Sequence, residues 1–178
     1  MLKFTIVYLF TMKHIKIWKT IKQGLYSLEI DSILIGTLEV VYSHLDRKAL
    51  FTIESKIYTL HYTGFWKSNF VISDENDNVI LTSRVEKWYA NTTLLEYKGK
   101  QLQLKIRNNP LAEYVIFDGD YEILAYGLST ENRKATVRIN TNSSENDYLL
   151  DFLLWYIFLP IAQENIGDNF TFHSLLLS

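Results

Sequence analysis

The chain has no cysteine, and it has only two prolines and seven glycines among its 178 residues. Without cysteine there is no disulfide framework, no thiolate nucleophile and no cysteine-based zinc site. A reducing compartment fits this composition, although absence of cysteine is also common outside the cell. So little proline and glycine excludes a low-complexity linker chain. Charge of one sign is lacking too, since the formal net charge is -2 and the isoelectric point is about 6.1. That balance argues against nucleic acid as a partner, although Lys13 to Lys19 interleaves basic and aromatic residues.

The motifs of common chemistries are also missing. There is no G-x-S-x-G, no phosphate-cradling glycine loop and no dinucleotide fingerprint. The four histidines, His14, His44, His61 and His173, show no i,i+4 pair. Asp74 to Asn78 echoes a calcium loop but has Val79 at the sixth position, where glycine is needed, and Val85 at the twelfth, where glutamate is needed. Asp118-Gly119-Asp120 lies between apolar runs and reads as a tight turn rather than a carboxylate pair. We therefore expect no metal, no cofactor and no enzyme activity.

What the chain does have is apolar and aromatic bulk, 48% and 15% of its residues. That is too much for disorder and enough for the core of one domain spanning 1–178. Most of it reads as short strands. Gln101 to Arg107 alternates, with Leu102, Leu104 and Ile106 facing one way and Gln103, Lys105 and Arg107 the other. Strands are expected near 25–30, 33–42, 48–53, 56–62, 67–73, 79–87, 92–97, 101–107, 111–117, 121–128 and 134–139, with a twelfth at His14 to Trp18.

Tyr26 to Leu38, Phe70 to Thr82 and Tyr114 to Tyr126 share one pattern: an aromatic, an apolar run, an acidic turn and a second apolar run. Their starts are 44 residues apart. Leu50 to Leu60 and Leu94 to Leu104 share a second pattern at the same spacing. The unit is about four strands, repeated nearly three times. A propeller is excluded because it needs about four or more blades.

One segment differs from everything else. Tyr148 to Ala162 is apolar on every side of a helical wheel except at Asp151. A helix of this kind must be buried all round, in a core or in lipid. Its fifteen residues reach roughly 22 Å, short of the roughly 20 residues a bilayer needs. It also contains Pro160, which should bend or end it, and lacks flanking Lys or Arg. We expect a central core helix over 148–162, capped by Asn146 or Asp147, with Trp155 and Phe158 buried and a packed tail over 163–178. Asp151 should sit in the first turn at the barrel mouth, where the helix dipole favours it.

The chain ends are oppositely charged. Residues 1–24 carry five lysines and no acid, and residues 141–178 carry five acids and no Lys or Arg. A basic end can approach phosphate or anionic lipid, but two ends lying near each other would cancel. The apolar stretch after Lys3 has no small-residue cleavage site, so no secretory signal is expected. If translation starts at Met12, residues 1–11 are a leader. The expected place is the cytoplasm, at most peripheral to a membrane.

The order and spacing of these patterns resemble the tubby C-terminal-like superfamily, which includes phospholipid scramblases and LURP-one-related proteins. The residues that carry the likeness are Met12 to Trp18, Tyr26 to Glu29, Ile35 to Leu38, Lys48-Ala49, Tyr58, Gly64-Phe65, Lys98 to Lys100, Asn108 to Pro110, and Leu149-Leu150 with Leu153-Leu154. The likeness is greatest to short bacterial members and covers roughly residues 12 to 162. It implies a mainly β fold: a closed antiparallel barrel of about twelve strands around a C-terminal hydrophobic α-helix. It also implies a non-enzymatic module with anionic lipid headgroups or a membrane surface as partner, bound by a cationic face. Candidates for that face are Lys98, Lys100, Lys105, Arg107, Arg133, Lys134 and Arg138. The alternative is a structural or protein-interaction domain with no lipid role.

Overall fold

The computed structural model describes residues 15–42, 47–64, 68–85, 91–107, 112–131, 134–142, 148–166 and 171–175. The first strands are β1 (Ile15–Lys22), β2 (Leu25–Ile30), β3 (Ile33–Tyr42), β4 (Arg47–Ile53), β5 (Lys56–Thr63) and β6 (Asn69–Asp74). They are followed by β7 (Val79–Val85), β8 (Thr92–Tyr97), β9 (Lys100–Arg107), β10 (Glu113–Asp118), β11 (Tyr121–Glu131) and β12 (Lys134–Thr141). The helix α1 (Tyr148–Ile166) and a last strand β13 (Thr171–Leu175) complete the order. The leader, the proposed helix cap, the turn at Asn108 to Pro110, and Trp66, Trp88 and Tyr89 lie outside the described residues.

Every strand from β1 to β12 pairs antiparallel with the next, and β13 adds to the free side of β1. The last strand also lies against β12, which brings the two ends of the sheet together in a nearly closed barrel. Twelve strands coincide with the expected ones within a few residues. The thirteenth, inside the expected tail, was not foreseen.

The 44-residue period is real geometry. The three similar segments are the β2–β3, β6–β7 and β10–β11 hairpins. Each has a register shift at the same place: Leu28/Glu29, Ile72/Ser73 and Ile116/Phe117. The residue skipped on the returning strand is Ile35, Ile80 or Ile123, and all three pack on the core. A bulge lets one strand hold an extra residue and bends it, as closing a wide sheet requires. At Gly36 the β3 and β4 backbones come so close that a Cβ would lie 2.0 Å from the Thr52 carbonyl oxygen. Only glycine fits there.

A barrel of this many strands has an interior too wide for its own side chains to fill. The helix fills it. Its 19 residues give about 28 Å, enough to run from one mouth to the other. Trp155 stacks on Trp18 at 5.1 Å, and Phe152 meets Trp18 edge-on at 5.0 Å. Tyr156 faces Phe51 and Tyr62, while Phe158 faces Tyr114. Strands from around the wall thus contact different sides of one helix, which explains its all-round apolar surface. Trp155 and Phe158 are fully buried, as expected.

The helix does not stop at Pro160. It continues to Ile166, four residues past the expected end at Ala162. Proline removes one N–H and crowds the preceding turn. Pro160 lies on an exposed side, whereas Leu159 and Ala162 are buried in the barrel. Tertiary packing therefore carries the helix through.

Candidate functional site

Three groups of side chains stand out. The first is a buried polar network at the helix N-terminus. Asp151 lies in the first turn, as expected, and is 3% exposed. Its carboxylate accepts hydrogen bonds from Lys16 Nζ at 2.8 and 2.9 Å and from the Tyr126 hydroxyl at 2.9 Å. Lys16 also donates to Thr141 Oγ1, and Trp18 Nε1 donates to the Tyr126 oxygen at 3.0 Å. Burial pushes the Tyr126 hydroxyl well above the ordinary tyrosine range, and the neighbouring Asp151 charge adds to this. The network ties β1, β11 and β12 to the helix and is closed to solvent, so its role is architectural. The helix dipole alone does not hold Asp151: the lysine partner comes from the basic N-terminal stretch.

The second group is the expected cationic face, which the barrel divides. Lys98 and Lys100 sit at the β8–β9 turn, and Arg107 at the far end of β9, seven residues or roughly 23 Å away. Lys105 and Arg107 lie over the Phe117 ring at 4.9 and 5.6 Å. Arg107 pairs with Glu122 and, at 3.4 Å, with Glu113, while Arg138 pairs with Glu113 at 3.1 Å. Arg107, Glu113, Gly127 and Arg138 occupy one register row across β9 to β12. Gly127 leaves room for the Glu113 side chain, which a Cβ there would approach to 3.0 Å. Lys134 is on β12, and Arg133 lies outside the described residues. Arg107 and Arg138, the described arginines of this face, are therefore matched with acids. Glu113, buried on the outer side of the wall, had no signal in the sequence beyond its place at a strand start.

The third group is the mouth formed by the hairpin turns. The β2–β3, β4–β5, β6–β7, β8–β9 and β10–β11 turns all lie at the end where the helix begins. Asn142, just after β12, is bonded there by the Tyr121 hydroxyl at 2.7 Å. Nine large apolar side chains are exposed among the described residues. Six of them, Ile15, Ile33, Leu34, Ile57, Val79 and Tyr121, are on this rim. Ile33, Val79 and Tyr121 directly follow their turns in the three repeats. Asp74 closes one turn by accepting from the backbone of Asn76 and Asn78 and from the Asn78 side chain. The Asn78 side chain is the main cause of its lowered pKa. The carbonyls of the bulged Ile35 and Ile123 accept from Glu54 N and Asn142 N, each at 3.1 Å. At the corresponding place in the middle repeat a groove of about 660 Å³ opens between Val79–Thr82 and Glu96–Gln101, with Lys98 and Lys100 on its wall.

No group of His, Asp or Glu among the described residues has the geometry to hold a metal. No helix among them is long and apolar enough to cross a membrane. Neither a family model, nor a curated protein, nor a solved structure matches the chain.

Proposed function

We propose that this barrel is a non-enzymatic module that associates with a membrane surface through the hairpin-turn rim, from the cytoplasmic side. The observation that carries the reading is the gathering of six of the nine large apolar side chains exposed among the described residues at one mouth. Ile33 with Leu34, Ile57, Val79 and Tyr121 follow the β2–β3, β4–β5, β6–β7 and β10–β11 turns, and Ile15 starts β1 at the same end. A fluid lipid interface accepts separate prongs in one plane, whereas a protein partner needs a continuous complementary patch. The interior is filled by the helix, which leaves the surface to carry function. A meander closed around a C-terminal helix is also what the tubby-like resemblance implies. Lys98 and Lys100, beside the groove on the same rim, are the basic residues placed to meet headgroups.

Flotation of the full chain with mixed-lipid vesicles tests this. Wild type should float, and an Ile33→Asp, Leu34→Asp variant should lose about tenfold or more of its binding, since each buried aliphatic side chain is worth about 1.5–3 kcal/mol. A chain that never floats with any vesicle would leave the structural or protein-interaction reading.

A further inference from the structure

The charges of the rim point to a particular kind of lipid surface. Four of the five turns present carboxylates: Asp31, Glu54, the Asp74–Asp77 turn, and Asp118 with Asp120. Among the described residues the bases there are Lys56, which follows Glu54 at the β4–β5 turn, and Lys98 and Lys100 at the β8–β9 turn, where Lys100 pairs with Asp118 at 3.1 Å. The acids reach the helix entrance as well, since Tyr148 has its pKa raised by burial first and then by the Glu54 and Asp151 charges. A rim with more acid than base is repelled by anionic headgroups within a Debye length.

Resting on the membrane reading above, we infer that the rim docks on a zwitterionic bilayer whose outermost group is a quaternary ammonium, and that anionic lipid opposes it. The chemistry is complementary at two depths. The apolar prongs pass into the interface, where Ile33 at 66%, Leu34 at 60% and Val79 at 59% exposure have the most surface to lose. Above them the carboxylates meet the choline layer. Tyr121, 57% exposed and held by its hydroxyl on the Asn142 carbonyl, offers a fixed aromatic face to the same cation.

The test is flotation with pure phosphatidylcholine vesicles against vesicles in which part of the lipid is phosphatidylserine, at low salt and at high salt. The full chain should bind phosphatidylcholine. Phosphatidylserine should weaken binding by about fivefold or more at low salt, and added salt should relieve that loss. Tyr121→Leu, which keeps the apolar bulk, should weaken binding to phosphatidylcholine by about two- to fivefold. Equal binding by that variant would overturn the part given to the ring. Binding that requires phosphatidylserine, or rises with it, would overturn the inference while leaving the membrane module standing. Absence of binding to every vesicle would overturn both. All the positions varied are exposed, and circular dichroism of each variant shows whether the barrel is retained.

Discussion

The barrel wall carries a charge cluster on each side. Inside, Lys16 and Asp151 have side chains 6% and 4% exposed, with the Tyr126 hydroxyl and Thr141 as their further polar partners. Outside, Glu113 is as deeply covered, but its partners Arg107 and Arg138 keep 40% and 53% exposure. The difference lies in what remains when one partner is lost. An arginine released on the outer face turns to water. A lysine released inside has no water to turn to, and an uncompensated buried charge is costly. The inner cluster has a further task. A helix apolar on all sides has no preferred rotation or depth in an apolar tube. Asp151 is the only charge within its apolar run, and its partners on β1 and β11 fix both.

The largest expected effect follows directly. Asp151→Ala leaves Lys16 buried with only Thr141, and should cost about 3–5 kcal/mol in urea unfolding. Replacing both partners, Lys16→Met with Asp151→Leu, should recover most of that loss, because two apolar groups remove the desolvation cost of the buried ions and substitute packing. The double variant should nevertheless lose its unique helix register, seen as doubled amide peaks for residues of α1. A double variant with a single sharp set of peaks would show that packing alone sets the register, and would end the distinction drawn between the two clusters.

Tyr126 should come next. It donates to Asp151 and accepts from Trp18, so Tyr126→Phe leaves two buried groups short of a partner and should cost about 1–3 kcal/mol. The hydroxyl also brings a pH dependence. Its folded pKa is raised above the unfolded value of about 10. Stability is thus unaffected by this group below that value and falls above it, because the unfolded chain ionises there and the folded one does not. Unfolding followed between pH 9 and 11 should show wild type losing stability more steeply than Tyr126→Phe.

On the outer face the effects should be smaller. Glu113→Ala should cost about 1 kcal/mol, since its half-exposed arginine partners are screened by solvent. Gly127→Ala pushes against the same glutamate side chain, so its cost should shrink when Glu113 is already alanine. Additive costs in that double-mutant cycle would mean that Gly127 does not serve Glu113.

The fold was legible to an unusual extent, and the repeat explains why. Apolar alternation set the strands, and the 44-residue spacing located three hairpins that share a bulge. The fixed Ile35, Ile80 and Ile123 bulges themselves were hidden, because a skipped residue leaves an apolar run looking uninterrupted. The apolar wheel of Tyr148 to Ala162 revealed the core helix, but Pro160 hid its last turn, since local propensity cannot show that surrounding strands hold the chain helical. The opposite charges of the two ends foretold that they meet, yet no pattern singled out Lys16 among five lysines. Its inward place on β1 depends on register, which is set by pairing with distant strands. The candidate site was the least legible part. The basic residues read as one face because sequence gives no distance along the barrel axis, and the acids that match them are on neighbouring strands. The rim prongs Ile33, Val79 and Tyr121 each read only as the start of a strand, because exposure at a turn is decided by where the barrel ends.

The smallest effect should be at Lys100, and it sharpens the contrast between pairing for stability and charge for recognition. Its bond to Asp118 joins side chains that are 68% and 42% exposed. A pair so well solvated gains little over its separate hydrated ions, so Lys100→Ala should change unfolding stability by no more than about 0.5 kcal/mol. Its consequence belongs to the rim instead. Removing the ammonium leaves the Asp118 carboxylate uncompensated beside Asp120 and makes the mouth more acidic. If the rim meets a zwitterionic interface, binding to phosphatidylcholine should be kept, while the penalty from phosphatidylserine should grow by a few-fold at low salt. If Lys100 is instead an anion-binding residue, Lys100→Ala should lose vesicle binding with its stability intact. The two outcomes part on pure phosphatidylcholine, where binding is kept in the first and lost in the second, so one flotation series with this variant separates them.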